Sequence, residues 1–236
     1  MKYVVLNHKM NLEFEQLDSY INGIKNIEMS HIKFIVCPSS IYISKFIEEG
    51  FVVGAQNISF ATDGAYTGEI SALQLKSIGG KYSIVGHSER RKYFNEDNTM
   101  IYKKTNLLLE NGITPILCIG ETQDDKEKGM TKEVIKNQIV EVFDYIKSPS
   151  KVIIAYEPVW AIGSGEIPTM EDVEEIISFI KMVVLKKYGI DIKVLYGGSV
   201  NDENIDSFEK LDIIDGYLLG SVSLNPEKMS NLTEKL

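Results

Sequence analysis

Short runs of apolar residues recur along the whole chain, and each run is followed by a segment in which apolar residues repeat every three or four positions. Continuous apolar runs are typical of strands buried on both faces, and the longer periodic segments are typical of amphipathic helices. The predicted strands span residues 2–6, 34–37, 51–55, 82–86, 113–119, 152–155, 193–196 and 216–219. The predicted helices span about 14–25, 40–49, 71–79, 98–111, 132–145, 169–187, 202–211 and 226 onward.

Eight strand–helix units therefore follow one another without a linker or a change in composition. This repetition predicts an α/β protein in which residues 1–236 form one single-domain (β/α)8 TIM barrel. An open doubly wound sheet is the alternative, and it usually has a glycine-rich dinucleotide fingerprint after its first strand. Residues 7–11, Asn-His-Lys-Met-Asn, contain no glycine, so the barrel is favoured.

Composition narrows the classes of ligand and the compartment. The 236 residues carry a net charge of −9, whereas a nonspecific nucleic-acid-binding surface is normally basic, so no nucleic-acid partner is expected. An anionic small molecule would therefore need a local positive site. No apolar run approaches the roughly 20 residues of a membrane-spanning helix, so no membrane partner is expected. Cys37 and Cys118 lie inside apolar runs without disulfide or zinc spacing, which favours a reducing cytoplasm.

The segment after the sixth predicted strand combines a carboxylate with a candidate lid. Glu157 stands where the strand ends, and Pro158 fixes the backbone behind it. The glycine-bracketed tip, 163–165, could close over this carboxylate. A rigid carboxylate beneath a closing loop is the arrangement of a general base that works away from water. An ordinary surface turn with a solvated glutamate is the alternative for this segment alone.

The carboxyl ends of all strands meet at one face of a (β/α)8 barrel, and the chemistry takes place there. The first, fourth and sixth strand ends bring Lys9, His87 and Glu157 to this face. Each alone has a plainer explanation: a solvated lysine, a hydrogen-bonding histidine in a turn and a solvated glutamate. Together they offer a cation, a proton donor and a base, which is a combination typical of an enzyme.

Glycine-rich turns follow the last two predicted strands, at residues 197–199 and 220–221. Backbone N–H groups in such turns can approach an anion closely, and barrels commonly bind phosphate after strands seven and eight. The turns therefore predict a phosphate site, although glycines are also common in loops that bind no ligand.

Seven stretches of the chain resemble the triosephosphate isomerase family, in the family's order and spacing and over nearly the whole length. They are residues 7–11, 54–57, 64–69, 85–91, 118–121, 155–163 and 196–200, with the sequences NHKMN, GAQN, GAYTGE, VGHSERR, CIGE, AYEPVWAIG and YGGSV. The combination is highly specific, because each stretch alone is a fair signal and all of them occur together.

The resemblance implies interconversion of dihydroxyacetone phosphate and glyceraldehyde 3-phosphate in glycolysis and gluconeogenesis, without a cofactor or a metal. It implies that Glu157 is the base that moves a proton between two carbons. His87 would hydrogen-bond the carbonyl oxygen, and Lys9 would place positive charge beside the developing enediolate. This family is a standard example of a carboxylate base paired with a neutral histidine under a closing loop.

The resemblance also implies how the rest of the substrate is held. Asn7 would help to orient the substrate, and Glu89 would support Lys9 from behind. The phosphate would be held by backbone N–H groups of Gly163, Ser199, Gly220 and Ser221.

The long third loop, 56–69, inserts into a twofold-related subunit in this family, so a homodimer is implied. Thr67 would then lie near Asn7 and Lys9 of the partner subunit, and Glu69 would pair with Arg90 across the interface. A mobile surface loop is the alternative for this segment.

Three positions depart from the family pattern. His8 stands where the family usually has tryptophan, Ser164 replaces the usual lid threonine, and Ser221 replaces the second glycine of a pair. If residue 221 needs a positive φ, serine costs some stability there. None of these departures removes a catalytic group.

Two other functions stay open at this point. One is a non-catalytic phosphate-ligand binding or interaction module on the same barrel, and intact Lys9, His87 and Glu157 argue against it. The other is an enolising isomerase that acts on a different phosphorylated sugar. A panel of phosphorylated substrates would separate this enzyme from a triose phosphate isomerase.

Overall fold

Eight parallel strands wrap around a common axis in the computed structural model of the chain, which describes residues 1–28, 30–162, 166 and 168–236. The strands are β1 (Lys2–Asn7), β2 (Ile32–Cys37), β3 (Gly54–Ala55), β4 (Tyr82–Val85), β5 (Thr114–Ile119), β6 (Ile153–Tyr156), β7 (Lys193–Tyr196) and β8 (Gly216–Leu219). Their order is β2-β1-β8-β7-β6-β5-β4-β3, and a parallel bridge between Val36 and Val53 joins the two ends. The predicted (β/α)8 barrel is confirmed.

Helices connect the strands and cover the outside of the barrel. They are α1 (Leu17–Lys25), α2 (Ile43–Glu48), α3 (Ala72–Ser77), α4 (Ser88–Tyr93), α5 (Asn98–Glu110), α6 (Gln123–Glu127), α7 (Thr131–Phe143), α8 (Met170–Tyr188), α9 (Ile205–Phe208) and α10 (Pro226–Thr233). Short 3-10 helices lie at Phe14–Gln16, Ser40–Tyr42, Pro149–Lys151, Val159–Ala161 and Ser221–Leu224. None of the helices among the described residues has the length and apolar character needed to cross a membrane.

Strand residues alternate between two apolar layers, which explains why the strands read as continuous apolar runs. The inner layer fills the barrel with one buried cluster: Val5, Ile35, Cys37, Tyr82, Ile84, Ile116, Cys118, Ile153, Ala155, Leu195 and Leu218. The alternate residues of the same strands join a larger buried cluster together with the helices. Because both faces are covered, neither side of the sheet needs polar residues.

The third strand is shorter than the predicted span 51–55. Only Gly54–Ala55 pairs with β4, and Val53 makes the single bridge to β2. Phe51 turns aside to pack against Phe46, with ring centroids 6.0 Å apart. The apolar run therefore begins before the paired segment because Phe51 covers helix α2. The hydrophobic run alone could not show where pairing begins.

The predicted helix over 202–211 is reduced to α9, Ile205–Phe208. Asn201 and Asn204 cause the late start, because the Asn201 side chain accepts the N–H groups of residues 203 and 204, and Asn204 Oδ1 accepts the N–H of residue 201. Such local side-chain bonds compete with helical ones. Conversely, α4 and α6 form where the sequence indicated a turn and a charged loop.

The backbone after β5 lies in close contact with the backbone after β6. A Cβ atom added to Gly120 would lie 1.7 Å from the carbonyl oxygen of Glu157. The backbone there is held by a 2.8 Å hydrogen bond from Glu157 N–H to Ile119 O. Glycine at position 120 therefore allows the end of β6 to sit against β5.

Gly120→Ala is expected to lower the free energy of unfolding by about 3 kcal/mol or more, because the backbone of Glu157 would have to move. Gly112→Ala is the matched control, since Gly112 has a φ of +73° and nothing within 4 Å of an added Cβ. The left-handed conformation alone costs about 1 kcal/mol. Urea denaturation of both variants measures the difference, and equal losses would contradict the proposed clash.

Candidate active site

A cavity of about 620 Å³ opens at the carboxyl ends of the strands. Its wall combines one carboxylate, one imidazole, two ammonium groups, several amides and glycine-rich turns. The lining residues are Asn7, Lys9, Asn11, His87, Glu157, Ile162, Gly197, Gly198, Ser199, Val200, Asn201, Leu218, Gly220, Ser221, Val222, Leu224, Asn225 and Lys228. The strand ends predicted to converge therefore do meet in one site.

Glu157 is the buried carboxylate of this cavity, with only 2% of its surface exposed. Its Oε1 lies 3.0 Å from His87 Nε2, and its Oε2 accepts the N–H of Ser88 at 3.1 Å. Burial alone would raise the pKa of this carboxyl, but attraction to His87 and these hydrogen bonds outweigh burial and lower the pKa from its ordinary value of 4.5. Glu157 is therefore held as a carboxylate in a nearly dry environment.

His87 follows β4 and is nearly buried. Its Nδ1 accepts the N–H of Glu89 at 3.2 Å, so a neutral ring carries its proton on Nε2, which faces Glu157. Burial disfavours the imidazolium, yet the charge and hydrogen bond of Glu157 raise the pKa of His87 above its ordinary 6.5. The ring is thus oriented to donate a hydrogen bond from Nε2 into the cavity.

Lys9 has an unusual backbone for a lysine, with a φ of +51°. Several side chains hold it: its N–H donates to Asn7 Oδ1 at 3.2 Å, and its carbonyl accepts from Gln56 Nε2 at 2.8 Å. The ammonium pairs with Glu89 Oε1 at 2.7 Å. A non-glycine residue keeps such a conformation only when its surroundings enforce it, and this pattern is common at functional sites.

The glycine-rich turns form another part of the cavity wall, and Gly197 lies directly beside Glu157, because a Cβ added to Gly197 would lie 3.0 Å from Glu157 Cγ. Ser199 Oγ donates to the carbonyl of Ala161 at 3.0 Å, which links the turn after β7 to the segment that follows β6. Gly220 faces Lys9, because a Cβ added to Gly220 would lie 3.8 Å from Lys9 Nζ. Ser221 begins the 3-10 helix Ser221–Leu224 and is not at positive φ, so serine brings no backbone penalty. Gly163 and Ser164 lie outside the described residues.

A second cavity, of about 480 Å³, adjoins the first and shares Asn7, Lys9 and His87 with it. Glu69, Glu89 and Arg90 also line this cavity, whereas Thr67 does not. Within the chain, Arg90 Nε donates to Glu96 Oε2 at 2.6 Å, and Lys104 donates to the same oxygen at 2.7 Å. The chain thus places Arg90 and Lys9 in the wall of the same cavity and leaves Thr67 on the exposed third loop.

Several residues around the site were not identified from the sequence. Ser88 supplies the N–H bound by Glu157, and buried Glu96 anchors both Arg90 and Lys104. Glu121 accepts the Trp160 indole N–H at 2.7 Å, and its burial raises the pKa of its carboxyl. A charged residue in a predicted loop gives no signal of burial, so the sequence did not distinguish these glutamates from solvated ones.

The arrangement has the parts needed to remove a proton next to a carbonyl group. A buried carboxylate, a histidine N–H and an ammonium face one cavity, and glycine-rich turns form part of its wall. Within the part of the chain that the structure describes, no group of three or more His, Cys, Asp or Glu side chains is placed to bind a metal ion.

Comparisons with known proteins agree with this geometry. The family model described as Triosephosphate isomerase matches residues 2–236. A protein named triosephosphate isomerase from Francisella tularensis subsp. mediasiatica is 39% identical, over 98% of this chain and 95% of its own length. Proteins of the same name from Zygosaccharomyces bailii and Dictyoglomus thermophilum are 40% and 38% identical, over 94% and 99% of this chain and 93% and 98% of their own lengths. The chain therefore belongs to the triosephosphate isomerase family.

Proposed function

We propose that the chain interconverts dihydroxyacetone phosphate and glyceraldehyde 3-phosphate by proton transfer through an enediolate, as a step of glycolysis and gluconeogenesis. The observation that carries this proposal is the meeting of Glu157, His87 and Lys9 in one cavity, from three different strand ends. Family membership supports the same reaction.

Glu157 acts as the base in this proposal. It removes a proton from one carbon of the bound triose and returns it to the neighbouring carbon. Burial favours uptake of a proton by this carboxylate once it loses the contacts with His87 and Ser88, which lower its pKa in the structure. To reach the substrate, the carboxylate leaves its contacts with His87 and Ser88.

His87 donates its Nε2–H to the substrate's carbonyl oxygen and shuttles protons between the two oxygens. Once the substrate separates His87 from Glu157, the main contribution that raised the histidine pKa is lost, so burial and the Glu89 N–H favour the neutral ring. A neutral imidazole can still donate from Nε2. Lys9 stabilises the negative charge that develops on the oxygens.

The phosphate lies among the backbone N–H groups of Gly163, Ser199, Gly220 and Ser221 in this proposal. Lys9 and Lys228 line the same cavity and supply local positive charge in a chain whose net charge is −9. Asn7 orients the substrate, and Glu89 supports Lys9 through their 2.7 Å ion pair. The tip predicted to act as a lid, 163–165, lies outside the described residues.

Residues 1–236 act as one domain without a linker, and two chains assemble as a cytoplasmic homodimer. Pairing between β1 and β8 joins the two ends of the chain, which supports a single domain. Eight consecutive exposed residues, 62–69, and 96% exposure of Met10 support an interface that covers the third loop, Thr67 included. Buried, unpaired Cys37 and Cys118 are compatible with a reducing compartment.

Glu157→Asp tests the catalytic role. The shorter side chain moves the carboxylate by about 1 Å, which is expected to lower kcat about 100-fold. The Michaelis constant is expected to change little, because Glu157 is not part of the proposed phosphate grip. A coupled assay of isomerisation measures both constants, and a wild-type protein that binds 2-phosphoglycolate without any turnover would instead favour a non-catalytic binder.

The Glu157–His87 pair predicts a pH-dependent contribution to stability. The folded pKa of Glu157 lies below 4.5, so its contribution is present above that pH and is lost as pH falls through the folded value. The folded pKa of His87 lies above 6.5, so its contribution is present below that pH and is lost as pH rises through the folded value. The pair is therefore expected to stabilise most between about pH 4.5 and 6.5.

Thermal unfolding of the wild type and of the Glu157→Gln/His87→Gln variant, measured from pH 3.5 to pH 9, tests this window. The difference in unfolding temperature is expected to be greatest near the middle of the window and to narrow towards both ends. Parallel profiles over the whole range would show that the pair makes no pH-dependent contribution.

The proposed dimer is tested by light scattering at micromolar concentration, which is expected to give about twice the chain mass of 26.6 kDa. Tyr66→Glu is expected to shift the protein towards monomers, because it places a charge on the exposed third loop. Tyr145→Glu is the matched control on an exposed tyrosine outside that loop. A monomeric wild type, or equal effects of the two variants, would argue against this interface.

A further inference from the structure

A chain of buried hydrogen bonds connects the loop after β1 to the turn after β8. His8 Nε2 lies 2.8 Å from the hydroxyl oxygen of Tyr20, and the Tyr20 hydroxyl lies 2.6 Å from the carbonyl oxygen of Ser223. The exposed fractions of these residues are 1%, 4% and 0%. Tyr20 belongs to α1, so a helix on the outside of the barrel bridges two loops of the candidate active site.

The direction of these hydrogen bonds follows from their chemistry. A carbonyl oxygen only accepts, so the single hydroxyl proton of Tyr20 goes to Ser223. His8 therefore donates its Nε2–H to the Tyr20 oxygen, as a neutral ring can. Burial lowers the pKa of His8 to about 4, so the ring is neutral over the physiological range.

Close packing holds the Tyr20 ring in place. A Cβ added to Gly23, three residues along the same helix, would lie 2.6 Å from Cβ of Pro226 at the start of α10. Phe46 contacts both rings edge-on, with centroids 5.6 Å from His8 and 6.2 Å from Tyr20. The phenol therefore cannot shift far without separating α1 from α10.

The series of hydrogen bonds ends at Ser223, in the turn assigned to phosphate binding. The N–H and the hydroxyl of Ser223 both donate to the carbonyl of Gly220, at 3.0 Å and 2.6 Å. Gly220 in turn faces the ammonium of Lys9. His8 directly precedes Lys9 in the sequence. Both ends of the series of hydrogen bonds, His8 and Ser223, therefore lie beside groups that face the cavity.

We propose that His8 and Tyr20 are positioning residues that fix the distance between Lys9 and the backbone N–H groups of residues 220 and 221. The inference rests on the proposed function, in which those N–H groups bind the substrate's phosphate. Hydrogen bonds to an anion need donor–acceptor distances near 2.7–3.1 Å. If the turn is free to move, the affinity for phosphate therefore falls, while the positions of the reacting groups stay the same.

Tyr20→Phe removes the hydroxyl alone and tests this inference. The dissociation constant of 2-phosphoglycolate, measured by calorimetry, is expected to rise about fivefold, and the Michaelis constant is expected to rise similarly. The kcat is expected to stay within about twofold, since Glu157 and His87 do not touch Tyr20 and three other side chains also hold Lys9. The affinity for inorganic phosphate, measured by competition with 2-phosphoglycolate, is expected to fall by the same factor. That result would assign the effect to the part of the site that binds the phosphate group.

Tyr217→Phe is the matched control. Tyr217 lies on β8 and is also fully buried, and its hydroxyl donates to Glu209 Oε1 at 2.5 Å instead of to the turn. Its loss is expected to lower the unfolding temperature while the dissociation constant of 2-phosphoglycolate stays within about twofold. A general effect of a lost buried hydroxyl would change ligand affinity equally in both variants and would overturn the inference.

Two substitutions of His8 give a second test, which also decides the matter if Tyr20→Phe does not fold. His8→Gln keeps an amide N–H that can reach the Tyr20 oxygen, and His8→Phe keeps a ring without a donor. We expect near wild-type affinity for His8→Gln and an affinity like that of Tyr20→Phe for His8→Phe. Equal affinities in these two variants would overturn the role of His8.

The outcomes separate this inference from the proposed function. If the wild type isomerises triose phosphates while Tyr20→Phe keeps its affinity for 2-phosphoglycolate, only the positioning role fails. If the variants weaken 2-phosphoglycolate binding as expected but the wild type shows no turnover, the positioning role stands for a binding site and the isomerase function fails.

Discussion

The structure at the carboxyl end of the barrel depends on keeping the charge of Glu157 buried. An isolated carboxylate in such an environment would be strongly destabilising or would take up a proton. Glu157 stays ionised because His87 and the N–H of Ser88, both after β4, contact its carboxylate directly. Strands β4 and β6 both pair with β5, so the order of the strands brings these partners to the end of β6.

His87 and Lys9, which stand beside this carboxylate, are held in place by other residues. Glu89 links the two main groups, because its N–H binds His87 Nδ1 while its carboxylate binds Lys9. Lys9 is also fixed through its backbone, by Asn7 and Gln56. A lysine held at both ends loses little freedom when a substrate arrives, which is the condition under which a preorganised charge stabilises a transition state strongly.

The strands, and the meeting of Lys9, His87 and Glu157 in one cavity, could be predicted because both depend on local patterns. Buried strands read as apolar runs, and the polar residue at each strand end then lies on one face of the barrel. The length of β3 and the start of α9 could not be predicted, because contacts of Phe51 and the side chains of Asn201 and Asn204 decide them. The roles of Glu96 and Glu121 depend on burial, for which a charged residue in a loop gives no signal.

Position 8 shows why a departure from a family pattern cannot be judged from one residue. A histidine where tryptophan is usual looks like the loss of a large apolar side chain. Burial of a polar ring without a partner would indeed be costly. Here the hydroxyl of Tyr20 accepts its N–H, and the carbonyl of Ser223 accepts the hydroxyl proton. Tyr20 lies 12 residues after His8, and Ser223 lies 203 residues after Tyr20. Only the folded structure therefore shows that the histidine is one end of a series of hydrogen bonds between two loops of the site.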